Sequence, residues 1–182
     1  MDNMSKNKKT CDKLEEFLEN PDDYCKLDLR NNKLYKYTRE QLDQMYDILM
    51  TNETITVLNM GAQWNFQEAY HLKMIPQIFV RNSNTKIAEI YLHSSHITNK
   101  YARELLDGLK VAEERHGKLS VTKVLLTKNK VENDTIEEIN GFLLANNSIV
   151  EEGEVEEQRY SDGDDYDGKN IFGDDSDDYG DY

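Results

Sequence analysis

The side chains best suited to chemistry are few and poorly grouped. His93-Ser-Ser-His96 places two imidazoles three residues apart. Such a pair becomes a metal site when a carboxylate or thiolate completes the donor set. No such donor keeps step with both. His93 is expected to point outward from a strand and His96 to lie beyond the next turn, so no metal is expected there. Farther along, Gly163-Asp-Asp165-Tyr-Asp167-Gly168, with Asp174 at the twelfth place, imitates a calcium loop. A true loop opens on an acidic ligand, closes on a bidentate glutamate and lies between helices. This run opens on glycine, and diffuse cation binding by dense carboxylates is the better reading. Ser161 and Ser176 precede acidic residues, a context that acid-directed kinases favour, and are candidate phosphorylation sites. Gly-rich phosphate loops, GxSxG elbows and HExxH motifs do not occur. With no nucleophile–base or metal constellation, the expectation is a protein that is not an enzyme and uses no cofactor.

Charge divides the chain. Of 182 residues, 36 are acidic and 22 basic, for a net of −14. Residues 151–182 hold 14 of the acids and 2 of the bases, leaving 22 acids and 20 bases in residues 1–150. The net charges are therefore −12 and −2, which marks a boundary near Val150. The expected organisation is a disordered N-terminus at 1–10, a folded domain at 11–150 and a disordered acidic tail at 151–182. The tail, rich in Asp, Gly and Tyr, buries too little apolar surface to offset chain entropy. It either solubilises the chain or serves as an arm for basic surfaces. Nucleic acid is disfavoured, since phosphate binding needs a basic face. No apolar run approaches the ~20 residues that span a bilayer, and none follows the lysines of MDNMSKNKKT, so no membrane association or export is expected. Cys11 and Cys25 have no CxxC spacing and read as reduced thiols. A cytoplasmic protein is expected; Lys6, Lys8 and Lys9 leave a nuclear location open.

The elements that would position any site come from a repeat. Tyr24-Cys-Lys-Leu27-Asp-Leu29, Ile55-Thr-Val-Leu58-Asn-Met60, Ile87-Ala-Glu-Ile90-Tyr-Leu92 and Val121-Thr-Lys-Val124-Leu-Leu126 share one apolar spacing. Their starts lie 31, 32 and 34 residues apart. Alternation places Leu27 and Leu29 on one face of a short strand. Asn32, Ser95 and Asn129 follow three residues after the last strand position, and Leu34, Ile97 and Val131 two later. The second segment departs, with Gln63 and Asn65 at those places. An asparagine there suits a bend, because its amide can bond backbone groups that the turn leaves unpaired.

A helix is expected after each strand. Thr38-Arg-Glu-Gln41 is a capping box ahead of Leu42, Met45, Tyr46 and Leu49, which share one helical face. Asn99 opens another helix, with Ala102, Leu105, Leu106 and Leu109 inward and Gly117 as its stop. Asn133 opens the last, with Ile136, Ile139, Phe142 and Leu143 inward and Asn146-Asn147 ending it. In the weaker second unit, Asn65 and Glu68 look like a start, Ala69 and Leu72 face inward, and Pro76 should kink or break the helix. Leu14, Phe17 and Leu18 form a short amphipathic helix that covers the open end of the core. Stacked units would bury both apolar faces. The fold class expected is α/β, a solenoid of four strand–helix repeats with a short parallel sheet on its concave side and an N-terminal capping helix. An ordinary α/β domain with a flat parallel sheet is the alternative.

The residues between core positions would then form outward columns: Lys26, Val57, Glu89 and Lys123; Asp28, Asn59, Tyr91 and Leu125; Arg30, Gly61, His93 and Thr127. Tyr91 and Leu125, on adjacent strands, make an aromatic–aliphatic centre of the kind that anchors interfaces, with Arg30, Glu89, His93 and Lys123 as a polar rim. A protein partner on this face is the leading expectation, and an idle solvated face the plain alternative.

Leu27-Asp-Leu29-Arg-Asn-Asn32-Lys-Leu34 and Val124-Leu-Leu126-Thr-Lys-Asn129-Lys-Val131 resemble the leucine-rich-repeat signature. Repeats long enough for a full helix resemble the ribonuclease-inhibitor type. Within it, Thr51-Asn-Glu-Thr-Ile55-Thr-Val-Leu58-Asn is similar to the helix-end-to-strand junction of tropomodulins and leiomodins. The resemblance covers roughly residues 11–150 and implies the fold and a protein-binding role. It also puts an actin-related partner beside a basic protein among the candidates. Tropomodulins carry further actin- and tropomyosin-binding segments before their repeats, whereas about 20 residues precede the first strand here. Repeats followed by an acidic tail are similar in layout to the acidic leucine-rich nuclear phosphoproteins, whose repeats are shorter and tails longer. That likeness implies an acidic, chaperone-like binder of basic proteins.

Overall fold

A computed structural model describes residues 9–146 apart from Asn32, Trp64 and Asn65. The expected strands appear as β2 (Lys26–Asp28), β3 (Val57–Asn59), β4 (Glu89–Tyr91) and β5 (Lys123–Leu125). Ahead of them lies a further strand, β1 (Thr10–Cys11), which pairs with β2 and begins inside the stretch expected to be unstructured. The strand is only two residues long, too short to show an alternation, and the sheet next to it supplies its order. Cys11 is buried beneath it. The five strands are all parallel and lie in the sheet in the order of the sequence.

Among the described residues five α-helices connect and flank the strands: α1 (Leu14–Glu19), α2 (Arg39–Leu49), α3 (Glu68–Arg81), α4 (Asn99–His116) and α5 (Asn133–Ala145). Each packs on the next in a single layer. Right-handed crossovers between sequential parallel strands put every helix on the same side of the sheet. The core lies between the layers. Leu27, Leu29, Leu58, Met60, Ile90 and Leu92 fill it from the sheet, and Leu42, Met45, Leu72, Ile75, Leu105 and Leu109 from the helices, all buried. Leu14 and Phe17 of α1 are fully buried at the N-terminal end, with Leu18 packed partly against them.

Every post-strand turn solves the same problem the same way. Asn31, Ala62, Ser94 and Lys128 occupy equivalent positions and all adopt positive φ, between 53° and 64°. The next residue ties the turn down. Asn129 Nδ2 donates to the Leu92 and Leu126 carbonyls, both at 2.9 Å, while its Oδ1 accepts from Ser95 N at 2.8 Å and Ile97 N at 3.1 Å. Gln63, which breaks the sequence pattern, bridges in the same sense. Its Nε2 donates to Leu29 O at 2.5 Å, and its Oε1 accepts from Leu34 N at 3.4 Å. One extra methylene therefore preserves the bridge between neighbouring units. Asn32 lies outside the described residues. At the opposite edge Asn52 Oδ1 accepts from Ile55 N at 2.8 Å, and Asn82 Nδ2 donates to Asn52 O at 2.9 Å, which ties the ends of α2 and α3 together.

Helix ends follow local chemistry with some shifts. The Thr38–Gln41 capping box forms in full, and Gly117 closes α4 at φ +76°. Asn99 and Asn133 are first helical residues, with Thr98 and Glu132 at the caps. Asn99 instead holds the next unit, donating to Glu132 Oε2 at 2.8 Å. In α5, Ile139 and Leu143 are buried while Ile136 and Phe142 are only half-covered, because no further described unit packs beyond them.

Two expectations for α3 are corrected. Ala69 is exposed, because the inward places of the first turn go to Tyr70 and His71, which pack against Tyr46 of α2. Of the kink or break expected at Pro76, the break does not occur: the helix runs through it from Glu68 to Arg81. Its ring is buried against Gly108 of α4, where a Cβ would stand 2.5 Å from Pro76 Cβ. Tertiary packing thus offsets the missing amide. Gly108→Ala should therefore lower stability by about 1–3 kcal/mol through overpacking, despite alanine's better helix propensity. Gly141→Ala, also inside a helix but with nothing within 4 Å of its Cβ, should stabilise by about 0.5–1 kcal/mol. Urea unfolding of the two variants checks the opposite signs; a gain at both positions would show that α3 and α4 are not in close contact.

Candidate functional site

The strand register brings the three expected columns together on the sheet face turned away from the helices. Lys26, Val57, Glu89 and Lys123 are Cα partners across β2 to β5, as are Asp28, Asn59, Tyr91 and Leu125. Arg30, Gly61, His93 and Thr127 continue them past the strand ends. The backbone bonds Asn31 N to Gly61 O, Ala62 N to His93 O and Ser94 N to Thr127 O hold that row in step.

Accessibility divides the candidates. Arg30 is exposed, and Lys26, Val57, Glu89, Tyr91, His93, Lys123, Leu125 and Thr127 are half-buried. Asp28 and Asn59, expected to face solvent, are both only 4% exposed. Each side chain folds back on its own strand end: Asp28 Oδ1 accepts from Arg30 N at 3.4 Å, and Asn59 Oδ1 from Gly61 N at 3.2 Å. Asp28 is further covered by Arg30 Nε at 3.2 Å and Lys26 Nζ at 3.6 Å. These two residues shape the face from within and present little surface to a partner.

Tyr91 is held in place by its neighbours. Its hydroxyl donates to Glu89, and Lys123 Nζ lies 5.5 Å from its ring centroid. The hydrogen bond to Glu89, with burial, pushes the phenol pKa up, so the ring stays neutral. Leu125 sits beside it on β5, half-buried. The pair forms an amphipathic patch with charge on either side.

His93 lies over Gly61, and a Cβ at Gly61 would stand 2.5 Å from its Nδ1. Glycine is needed there to admit the ring. Nδ1 is buried and has no hydrogen-bond partner among the described residues. Burial first, then the positive charges of Arg30 and Lys128, lower the imidazole pKa, while Asp28 opposes them. Lys128 was not among the sequence candidates; its place at the left-handed turn position brings its charge to this corner. His96 is exposed beyond the turn. Among the described residues no three His, Cys, Asp or Glu side chains are grouped to hold a metal ion, and no helix is long and apolar enough to cross a membrane. Ser161, Ser176 and the rest of the acidic segment lie outside the described residues.

A second polar cluster, not foreseen in the sequence, lies between α2 and α3, with Tyr46, Tyr70 and His71 buried and Arg39 and Asp43 at its exposed rim. His71, 1% exposed, is hydrogen-bonded through Nδ1 to the Tyr46 hydroxyl at 2.8 Å and stacked on Phe66. Arg39 Cζ lies 3.3 Å from the centroid of the Tyr70 ring, whose hydroxyl donates to Asp43 Oδ1 at 2.6 Å. Burial, reinforced by Arg39, lowers the His71 pKa to about 3. No signal in the sequence separates this histidine from the three others.

No family model and no curated protein matches the sequence. Among solved structures the chain is similar to leiomodin-1 actin-binding site 2, at 18% identity and a TM-score of 0.52, with 73% of this chain and 70% of that one covered. The likeness is one of fold. It agrees with a mixed α/β, leucine-rich-repeat-like architecture built on a parallel sheet.

Proposed function

We propose that the strand–helix units are four leucine-rich repeats stacked as a short solenoid capped by α1, and that the open, concave face of the sheet binds a protein partner without catalysis. The observation that carries this reading is the Tyr91–Leu125 pair. An aromatic and an aliphatic side chain stand on adjacent strands in register, half-exposed, with Lys26, Arg30, Glu89 and Lys123 around them. Interfaces draw most of their energy from such apolar centres inside a polar rim. Asp28 and Asn59 serve this face by fixing its strand ends.

Actin is the first partner to test, because the structural neighbour is an actin-binding site. The acidic segment supports a second reading, an acidic binder of basic proteins, with 14 carboxylates opposed by two basic residues. Monomeric and filamentous actin and a basic protein such as a histone would be titrated with the full chain. On the first reading actin binds, and Tyr91→Ala with Leu125→Ala weakens binding at least about tenfold while the variant remains folded. A basic protein bound with unchanged affinity by the double variant would support the second reading. Unaltered actin affinity in the double variant would remove the open face as its site.

A further inference from the structure

We propose that the Arg30–His93–Lys128 corner of the open face binds an acidic segment of the partner protein, one that presents two carboxylates about 14 Å apart. This deepens the partner-binding reading of the open face and rests on it.

The first argument is the charge of the two layers. Helices α1 and α5 hold three carboxylates each and no base, and α2 holds three against Arg39. Helix α4 balances four acids with four bases, and α3 sets Glu68 against Lys73 and Arg81. The helix layer therefore carries 14 acidic and seven basic residues. The open face has the opposite sign. Lys26, Arg30, Lys123 and Lys128 meet only Asp28 and Glu89 there. Lys33 and Asp12, on the flank of β1, cancel in an ion pair at 3.0 Å. The connecting segments contribute the remaining six basic and four acidic described residues. A domain with an excess of acid thus turns a positive surface outward from its sheet.

The second argument is the donors. Arg30 is exposed and gives only its Nε to Asp28, at 3.2 Å. Its two terminal nitrogens form no ion pair among the described residues. A guanidinium fork of that kind takes a carboxylate through two parallel bonds. Lys128 is also exposed and forms no ion pair among the described residues. Asp28, almost wholly buried, neutralises Lys26 and Arg30 in part from below without covering them.

Shape agrees with charge. Between Arg30 and Lys128 the floor is Gly61, which has no side chain, and the half-buried ring of His93 lying over it. The charges of Arg30 and Lys128 both act on that ring, so they converge on the same spot. Three strand spacings separate β2 from β5, about 14 Å, which four residues of extended chain also span. Side chains at the first, third and fifth positions of such a chain point the same way. Two acids at the ends would meet Arg30 and Lys128, and an apolar residue between them would face the neighbouring Tyr91–Leu125 pair.

The probe is the acetylated peptide Glu-Ser-Leu-Ser-Glu, titrated into the full chain and followed by NMR, with Lys-Ser-Leu-Ser-Lys as its control. The acidic peptide should shift signals of Arg30, Tyr91, His93 and Lys128, and should raise the His93 imidazole pKa, because a nearby carboxylate favours the imidazolium. Affinity should fall several-fold between about 0.1 M and 1 M NaCl, as the Debye length shrinks from about 10 Å to 3 Å. Arg30→Gln and Lys128→Gln, both at exposed positions, should each weaken the peptide roughly threefold, the scale of a solvent-exposed ion pair. Lys128→Arg should restore it. An equal response to the lysine peptide, shifts centred on the bases of α4, or an Arg30→Gln variant that binds as well as the parent would each overturn the proposal. Actin that shifts the open face while the acidic peptide does not would keep the partner site and reject its acidic chemistry.

Discussion

Leu92→Ala should lower unfolding stability by about 2–5 kcal/mol, the range for emptying a large aliphatic site that cannot collapse. Leu92, directly after β4, is completely buried, with neighbouring strands on both sides and the helix layer beneath. Its amide is bonded to Leu125 O at 2.9 Å, which keeps the backbone from closing the cavity. The adjacent Tyr91 points to the opposite face and is only half-buried. Tyr91→Ala should therefore cost clearly less, mainly the packing against Lys123 and the bond to Glu89. Urea midpoints of the two variants read the difference. Equal losses would mean that the two faces of the sheet are assigned the wrong way round.

The second large effect is acid lability centred on His71. Its pKa is lowered from 6.5 to about 3 in the folded chain by burial first and Arg39 second. A group held neutral in the native state lets the unfolded chain take up the proton first. The stability that His71 contributes is thus fully present above pH 6.5 and falls as the pH drops from there towards 3. Between pH 6.5 and 4.5 the loss should approach about 2 kcal/mol, at 1.36 kcal/mol per unit of displacement. His93, also lowered by burial, adds to it with the same sign. The carboxylates whose pKa values are depressed, Asp12, Glu40 and Glu138, start from ordinary values of 4.5 or below and give up their contributions mainly below this window. Chemical unfolding at the two pH values, with His71→Asn alongside, measures the effect. The variant should be less stable at pH 6.5 yet lose distinctly less on acidification. Parallel pH profiles for variant and parent would assign the lability to other groups.

The strands and their register were legible because each pairs a period-two apolar alternation with a polar turn, and four recurrences reinforced one another. The Thr38–Gln41 box and Gly117 were legible for a different reason: their chemistry is local. What escaped the sequence depends on distant neighbours. Two residues of β1 carry no period, and Pro76 is tolerated only because Gly108, thirty-two positions later, makes room for its ring. Gln63 looked like a break in the pattern but bridges the carbonyl and amide of the preceding unit. The candidate face was legible as columns, since alternation dictates direction. Its accessibility was not, because Asp28 and Asn59 fold back to accept from the amides of Arg30 and Gly61, two residues on. Lys128 was missed because the sequence names a turn without saying where its side chain's charge will act.

The ordering of the sheet has a kinetic consequence. Every strand pairs only with its neighbours in the sequence, and the paired residues are 16, 31, 32 and 34 positions apart. Closing loops of 31 to 34 residues costs nearly the same entropy, because the cost grows only with the logarithm of length. No contact in the sheet waits on a residue from the far end of the chain. The first strand–helix pair can consequently assemble on the ribosome while later ones are still being synthesised, each new unit docking on a surface that already exists.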